Sequence, residues 1–460
     1  MAKKNPVAIE TTGFFRGTPE RISPLGDKPR IRGAQQKNLP HGRFFVVRPS
    51  GFEPLAYRVG VCHSIQLSYG RIFSRSYYSK VRPKSKADFL FPFGGGYAIL
   101  RKSNLYRKDT PSMKHTHLHT RLLALLLCCA LVLPLSACGE AKSTTQQIFA
   151  MDTVMDLTAY GKKADDGINA AISIINSMDK LLDPENERSK TYEINHAMSS
   201  PVVVNEQIAK MLRTAQTVYE RTNGAFDLTT YPLSKLWGFI DQNYRVPSDA
   251  EIERLLPCVD MSKVQLAATD DSANSLVTMP ADMALSFGAV AKGCASDYAI
   301  QAMRAAGVMS GVVSLGGNVQ TLGKKPDGSD WNIAIQDPND TGSYLGYLTV
   351  GETAVITSGS YQRYFTEGGQ KYHHILSPTT GRPVNNGLLA VTIVCEDGTL
   401  ADCLSTAMFV LGPQAALNYW RTYGGFEMLL VKADGHVVLT NGLYGQFTPN
   451  GDSYVVDYAS

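Results

Sequence analysis

Apolar positions recur along this chain at two periods, and most of the expected elements follow from them. Between Asp165 and Leu182, Ile168, Ala171, Ile172, Ile175, Met178 and Leu182 fall at the spacing of an amphipathic helix. A second helix is predicted from Asn205 to Arg221, with Asn205 as its N-cap, and others at 290–306, 400–411 and 413–422. From Gln147 to Tyr160, β-formers alternate with polar residues, which predicts a strand. Strand-like runs also cover 311–315, 331–336, 344–350, 353–357, 371–376 and 388–395, with a terminal pair near 426–440. Residues 224–283 read as turns and short elements. Mixed helices and strands without regular βαβ alternation predict a single α+β domain over residues 147–460.

One apolar run fits neither period. Leu122 to Leu135 is continuous except for Pro134, about 14 residues against the ~20 that span a bilayer. A short polar stretch with Lys114 and Arg121 precedes it, and Leu135-Ser136-Ala137-Cys138 follows. A buried helix or a membrane span is the alternative, but length and flanks fit a lipoprotein signal peptide over 113–137, with Cys138 as the lipid acceptor. Residues 138–146 then read as a tether.

Charge separates the same two parts. Residues 1–112 hold 21 Lys+Arg against 6 Asp+Glu, a net of +15, whereas residues 138–460 hold 22 against 35, a net of −13. The basic part has no sustained period. Because a signal belongs at a start, it reads as a mis-assigned or disordered extension upstream of Met113, with a basic nucleic-acid-binding arm as the alternative. The acidic domain itself argues against nucleic acid. Among its cysteines, Cys258, Cys294, Cys395 and Cys403 lack the paired spacing of zinc sites. One disulfide or four small buried hydrophobes are both open.

Candidate chemistry lies in short segments. In Phe287-Gly288-Ala289-Val290-Ala291-Lys292-Gly293, glycines flank a Lys where a helix begins, and helix amides plus an ammonium suit an anion. Ser314-Leu315-Gly316-Gly317-Asn318 and Thr357-Ser358-Gly359 are small-residue turns after strands, where backbone can approach a ligand. Taken singly, each segment reads as a structural turn first. Asp402 and Thr406 share one helix face and offer hard oxygen donors suited to Mg²⁺, or else a cap and a packing residue. His373-His374 end a strand, where a His is a general base or merely polar.

In this order these segments resemble the ApbE family of FAD:protein FMN transferases, over roughly residues 147–440. The resemblance rests on Met151-Asp152-Thr153, Gly224-Ala225-Phe226-Asp227, the Gly-Ala-x-Ala-Lys-Gly element at 288–293 and Leu-Gly-Gly-Asn at 315–318. It also rests on Thr-Ser-Gly at 357–359, the His-Ile-x-x-Pro-x-Thr-Gly-x-Pro run at 374–383, and Ala-Asp-x-x-Ser-Thr-Ala at 401–407. It implies one ApbE-like domain with the ligand cleft between two halves. It also implies Mg²⁺-dependent transfer of FMN from FAD to a Thr or Ser hydroxyl of a target flavoprotein, with release of AMP. Mg²⁺ is then expected on Asp402, Thr406 and the carbonyl of Ala289, with Ser405 assisting. FAD contacts are expected from Met151, Ala225, Phe226, Asp227, Ser286 and Lys292, with the turns at Gly316-Gly317 and Ser358-Gly359 along the same cleft. His374 is expected to take the acceptor's proton.

The resemblance further implies a lipoprotein on the outer face of the bacterial membrane, acting on flavoproteins of extracytoplasmic electron-transfer systems. Three departures stand out: Ser286 and Ser377 replace usual Asp residues, and Asp183-Pro184-Glu185 lacks an aromatic before the Pro. A Mg²⁺-dependent FAD pyrophosphatase and a non-catalytic flavin-binding lipoprotein are the competing expectations.

Overall fold

The computed structural model describes residues 142–459; the signal-like stretch 113–137, Cys138 and everything before them lie outside the described residues. The strands are β1 (Ser143–Ala150), β2 (Thr153–Tyr160), β3 (Val202–Asn205), β4 (Gln265–Ala268), β5 (Asn274–Thr278), β6 (Gly311–Leu315), β7 (Asn318–Leu322), β8 (Trp331–Gln336) and β9 (Tyr344–Val350). They continue as β10 (Ala354–Gly359), β11 (Tyr364–Glu367), β12 (Gln370–His373), β13 (Leu388–Cys395), β14 (Glu427–Lys432), β15 (His436–Thr440), β16 (Phe447–Pro449) and β17 (Val455–Ala459). The helices are α1 (Ala164–Leu182), α2 (Lys190–Asn195), α3 (Glu206–Arg221), α4 (Tyr231–Leu236), α5 (Asp249–Leu255), α6 (Ala291–Ala305), α7 (Gly398–Leu411) and α8 (Pro413–Tyr423).

Among the described residues the largest sheet has nine strands in the order β1-β2-β6-β7-β10-β13-β14-β15-β17, and all its pairs are antiparallel except β15–β17. Strand periodicity divides its core. Val313, Leu315, Ala354, Ile356, Ile393, Met428 and Leu430 join the cluster that includes α1, α3, α6 and α7. Val312, Val319, Val355, Ala390, Leu429 and Val431 face the small sheet β16-β9-β8. The expected α+β class is what the chain adopts. Each fully buried Leu, Ile or Phe contributes about 1.5–3 kcal/mol, so both faces matter to stability.

The helices form for local reasons. In α1, Ile168, Ala171, Ile175, Met178 and Leu182 line one buried stripe. At the start of α3, the Asn205 side chain accepts from the Ile208 amide at 3.1 Å, as expected. Helix α7 is buried almost all round, including Asp402 and Ser405. Polar groups there must find partners within the fold, because an unpaired buried one is costly.

Two expectations need correction. The strand expected from Gln147 is a hairpin, and its first strand begins at Ser143, taking in the second half of the expected tether. Its outer positions are polar because β1 is an edge, and Thr144 and Lys142 bond Asp165 of α1. Strand β7, every position of which is buried, extends four residues beyond the expected turn 314–318, over a stretch for which no element is expected. Cys258, Cys294, Cys395 and Cys403 are all free thiols, the last three buried.

Candidate active site

Two hairpin turns lie side by side at one end of the large sheet. Met151 and Asp152, with φ of 48° and 57°, form the two-residue turn between Ala150 and Thr153. Two positive φ angles make this a primed hairpin turn, normally given to Asn and Gly, and a left-handed non-glycine residue costs about 1–2 kcal/mol. The Met151 amide donates to Asp179 Oδ1 of α1 at 2.7 Å, which holds the turn. The second turn is Gly316-Gly317, between β6 and β7. A Cβ on Gly316 would lie 2.4 Å from Thr153 Oγ1, so only glycine allows the two turns to touch.

Next to them lies a polar constellation on α6, α7, β7 and β10. Asp402 is 4 % exposed. Its Oδ2 accepts the Gly293 amide at 2.8 Å and its Oδ1 accepts Asn318 Nδ2 at 2.9 Å. A Cβ on Gly293 would lie 2.1 Å from the Gly398 carbonyl and 2.6 Å from Asp402 Cβ, so the helices approach through backbone alone. One turn along α7, Ser405 Oγ donates to the Asp402 carbonyl at 2.9 Å. Ser358 Oγ lies 2.8 Å from Ser405 Oγ and 3.2 Å from Thr406 Oγ1. The carbonyl of Ala289 accepts no hydrogen bond among the described residues, because the Gly293 amide that could reach it is turned to Asp402.

This donor set tests the fit of a magnesium ion. One carboxylate bonded only to neutral N–H groups, two neighbouring hydroxyls and an unengaged carbonyl are hard oxygen donors of the kind Mg²⁺ takes. Among the described residues no group of three or more His, Cys, Asp or Glu gathers, which is the pattern a zinc site would need.

Below the Asp402 layer is a second buried layer. Asp297, 5 % exposed, accepts the Gly398 amide at 2.8 Å, the Thr399 amide at 3.0 Å, Thr399 Oγ1 at 2.6 Å and Gln320 Nε2 at 3.0 Å. Lys210 of α3 bridges Asp297 at 2.9 Å and Asp397 at 3.4 Å. Burial alone would raise the Asp297 pKa, but Lys210 and the Thr399 hydroxyl outweigh it and hold the carboxyl below its usual range. Sequence reading gave no role to Lys210 or Gln320, whose partners lie many residues away along the chain.

The loop carrying Ala225, Phe226 and Asp227 reaches the same region through Leu228, whose carbonyl accepts the Ser286 amide at 3.1 Å. Ala225 is half-buried, whereas the Phe226 ring is 1 % exposed and lies in the core, leaving only its backbone to meet a ligand. Asp227 is buried, and its carboxylate accepts Thr229 N, Thr229 Oγ1 and Met261 N. Burial, only partly offset by these bonds, raises its pKa. Its carboxylate is thus engaged in holding the loop. Ser286 Oγ accepts the Gly288 amide at 3.2 Å, so the serine caps this turn as an Asp would. Lys292, half-buried, stands at the second position of α6.

The two histidines divide their tasks. His373 is buried and both its nitrogens are used: Nε2 faces the Val384 carbonyl at 2.8 Å and Nδ1 accepts the Ile375 amide at 3.3 Å. His374 Nδ1 lies 3.2 Å from the Arg363 carbonyl, which can only accept, so Nδ1 carries the proton and Nε2 keeps its lone pair. Burial first, then the Arg363 charge and, further off, Lys292, push the His374 pKa down to about 3. The shift favours the neutral imidazole.

The departures from the family pattern have local uses. Ser377 closes the turn 377–382 by bonding Arg382, Thr380 and Gly381. Glu185 accepts from Tyr231 and Lys235 and ties the end of α1 to α4.

The chain is similar in sequence and fold to known proteins. The family model described as "ApbE family" matches residues 151–430. A FAD:protein FMN transferase of Klebsiella pneumoniae is 30% identical over 285 residues, covering 62% of this chain and 87% of that protein. Another protein of that name, from Treponema pallidum, is 29% identical over 67% of this chain and 90% of its own length. The crystal structure of the ApbE protein of Thermotoga maritima superposes with a TM-score of 0.62 at 30% identity, covering 67% of this chain and all of that one. The apo flavinyl transferase ApbE of Pseudomonas stutzeri superposes at 0.58 with 26% identity, covering 68% of this chain and 99% of that one. A match over more than half of the chain, including the two hairpin turns and the Asp402 constellation, means that this chain belongs to the ApbE family.

Proposed function

We propose that this chain is an FAD:protein FMN transferase, moving FMN from FAD to a Thr or Ser hydroxyl of a target flavoprotein and releasing AMP. The observation that carries the reading is the Asp402 constellation: a buried carboxylate, the Thr406, Ser405 and Ser358 hydroxyls and the Ala289 carbonyl, beside the α6 N-terminus. Asp402, Thr406 and the Ala289 carbonyl would hold Mg²⁺, with Ser405 and Ser358 orienting Thr406. When bound, Mg²⁺ supplies neutralisation of charge developing on phosphoryl oxygens.

Lys292, at the second position of α6, would face the pyrophosphate with its ammonium, since the Ala291 and Gly293 amides beside it are held by the Phe287 carbonyl and Asp402. Met151, the Ala225–Asp227 loop, Ser286, Gly317, Ser358 and Gly359 would border the flavin nucleotide, with Phe226 and Asp227 acting through the loop they hold. His374 Nε2 would accept the proton of the acceptor hydroxyl as its oxygen attacks the FMN-side phosphorus. The bond from that phosphorus to the AMP oxygen breaks, and AMP leaves with the electron pair. The pyrophosphate anion at the site raises the proton affinity of a neutral His374, which fits it for that step.

We further propose that the chain is anchored through Cys138 on the outer face of the cell membrane, where its acceptors are flavoproteins of electron-transfer systems. The test is incubation of the enzyme with FAD, Mg²⁺ and a Thr-bearing acceptor, followed by intact-protein mass spectrometry. Covalent FMN on the acceptor, with AMP in equal amount, supports transfer. Free FMN plus AMP with an unmodified acceptor would mean hydrolysis instead.

A further inference from the structure

Six residues pair off in two layers. On α6, Gly293 and Asp297 are one turn apart; on α7, so are Gly398 and Asp402; on β7, Asn318 and Gln320 are two apart on one face. A helical turn advances about 5.4 Å and two strand residues about 6.6 Å, so the three elements keep step. In one layer Asp402 accepts from Gly293 and Asn318; in the other Asp297 accepts from Gly398, Thr399 and Gln320, closed by Lys210. Gly293 and Gly398 meet without side chains, so at this crossing the links between α6 and α7 are the backbone amides each gives to the other helix's carboxylate. The Asp397 cap takes only the Leu400 amide, which leaves the Gly398 and Thr399 amides to Asp297.

We propose that Asp297 and Lys210 are positioning residues: they lock the first turn of α7 against α6 and so aim the Asp402 carboxylate at its metal. The inference rests on the transferase reading and on Asp402 as a ligand. Asp297 is too buried to touch a substrate, and its effect reaches the site through α7.

The test compares wild type, Asp297→Asn, Lys210→Met, Lys210→Arg and Asp402→Ala by two readouts. These are the Mg²⁺ concentration for half-maximal FMN transfer and the rise in Tm produced by Mg²⁺ alone. Outer residues that orient ligands typically contribute 10–100-fold to metal affinity. Asp297→Asn is expected to raise half-saturation by about 10-fold, with the rate largely recovered at saturating Mg²⁺ and the Mg²⁺-induced Tm rise reduced. Lys210→Met should move both readouts the same way, and Lys210→Arg should restore them.

Folded Asp297→Asn with unchanged half-saturation and an unchanged Tm rise would overturn the proposal. So would a loss of rate that leaves half-saturation in place, which is the mark of a merely structural role. If Asp297→Asn does not fold, Lys210→Met, a change at a 26% exposed side chain, decides by the same readouts. Absence of Mg²⁺-dependent transfer in wild type sinks the transferase reading. A normal wild type and an inactive Asp402→Ala, beside wild-type behaviour in both positioning variants, sinks only this inference.

Discussion

Asp402 and Gly293, 109 positions apart, meet through a 2.8 Å bond from the glycine amide to the carboxylate, at a point where α6 and α7 leave no room for a Cβ. Gly293→Ala therefore pushes the helices apart at the site. Overpacking of this kind costs about 1–3 kcal/mol. We expect a Tm several degrees lower and a loss of transfer larger than the Tm change explains, since the Asp402 bond is what stretches. Thermal melts and single-turnover transfer on the same preparation check this.

Asp402→Ala removes the acceptor of both Gly293 and Asn318. Two buried donors left unpaired cost about 1–3 kcal/mol each. We expect a folded but less stable protein whose transfer falls by at least about 100-fold at any Mg²⁺ concentration, in line with loss of a metal's charge stabilisation. Transfer retained at ordinary Mg²⁺ would remove Asp402 from the ligand set.

His374 and His373 should separate cleanly. His374→Ala is expected to lower transfer by about 10²–10⁴-fold while FAD still binds, as for loss of a general base. His373→Ala should lower Tm, because its ring joins the Val384 carbonyl to the Ile375 amide. FAD binding by fluorescence quenching, beside transfer and melting, distinguishes the two.

The pH dependence follows from the depressed pKa of His374. With a folded value near 3 against an ordinary 6.5, the unfolded chain binds the proton first. Stability from this group is complete above about pH 6.5 and is lost progressively as pH falls toward 3. Denaturant melts should show falling stability below pH 6.5 in wild type, with a smaller fall in His374→Ala. In the free enzyme kcat/KM should carry no limb near 6.5 from this residue.

Asp227→Asn tests whether that carboxylate binds ligand or loop. An amide cannot accept from Thr229 and also from Met261 at both of its atoms, so one donor is stranded at about 1–3 kcal/mol. We expect lower Tm and weaker FAD binding together, restored in part by conditions that stabilise the fold. Weaker FAD binding at unchanged Tm would instead mark direct contact.

Much of this was legible in the sequence because it is local. The stripe Ile168–Leu182 and the Asn205 cap declare α1 and α3 within a few residues, and the Gly-rich segments declare turns wherever they lie. What escaped was set by distant partners. Both faces of strand β7 are covered, so its residues lack the sustained apolar–polar alternation of a half-exposed strand; Asn318 reads as the end of a turn and Gln320 carries no signal. Lys210 reads as a solvated position on a helix until Asp297, 87 residues away, arrives beside it. The polar run Ser143–Gln146 reads as linker because an edge strand shows water on its outer positions. The buried place of Phe226 was equally invisible, since a ring in a Gly-Ala-Phe-Asp turn can face either way.

The early start of β1 also sets a working height. From Ser143 the strand runs eight residues to the Met151 turn, about 25 Å. If Cys138 carries the lipid, the five steps from it to Ser143 reach at most ~17 Å. The leash is then shorter than the strand, and the Met151 turn cannot rise more than about 40 Å above the bilayer along this path. Such an enzyme searches a thin layer rather than a volume. With that anchor, acceptors would be selected by altitude and lateral diffusion before any side chain reads them, and a long linker inserted after Cys138 would widen that choice without touching the proposed catalytic residues.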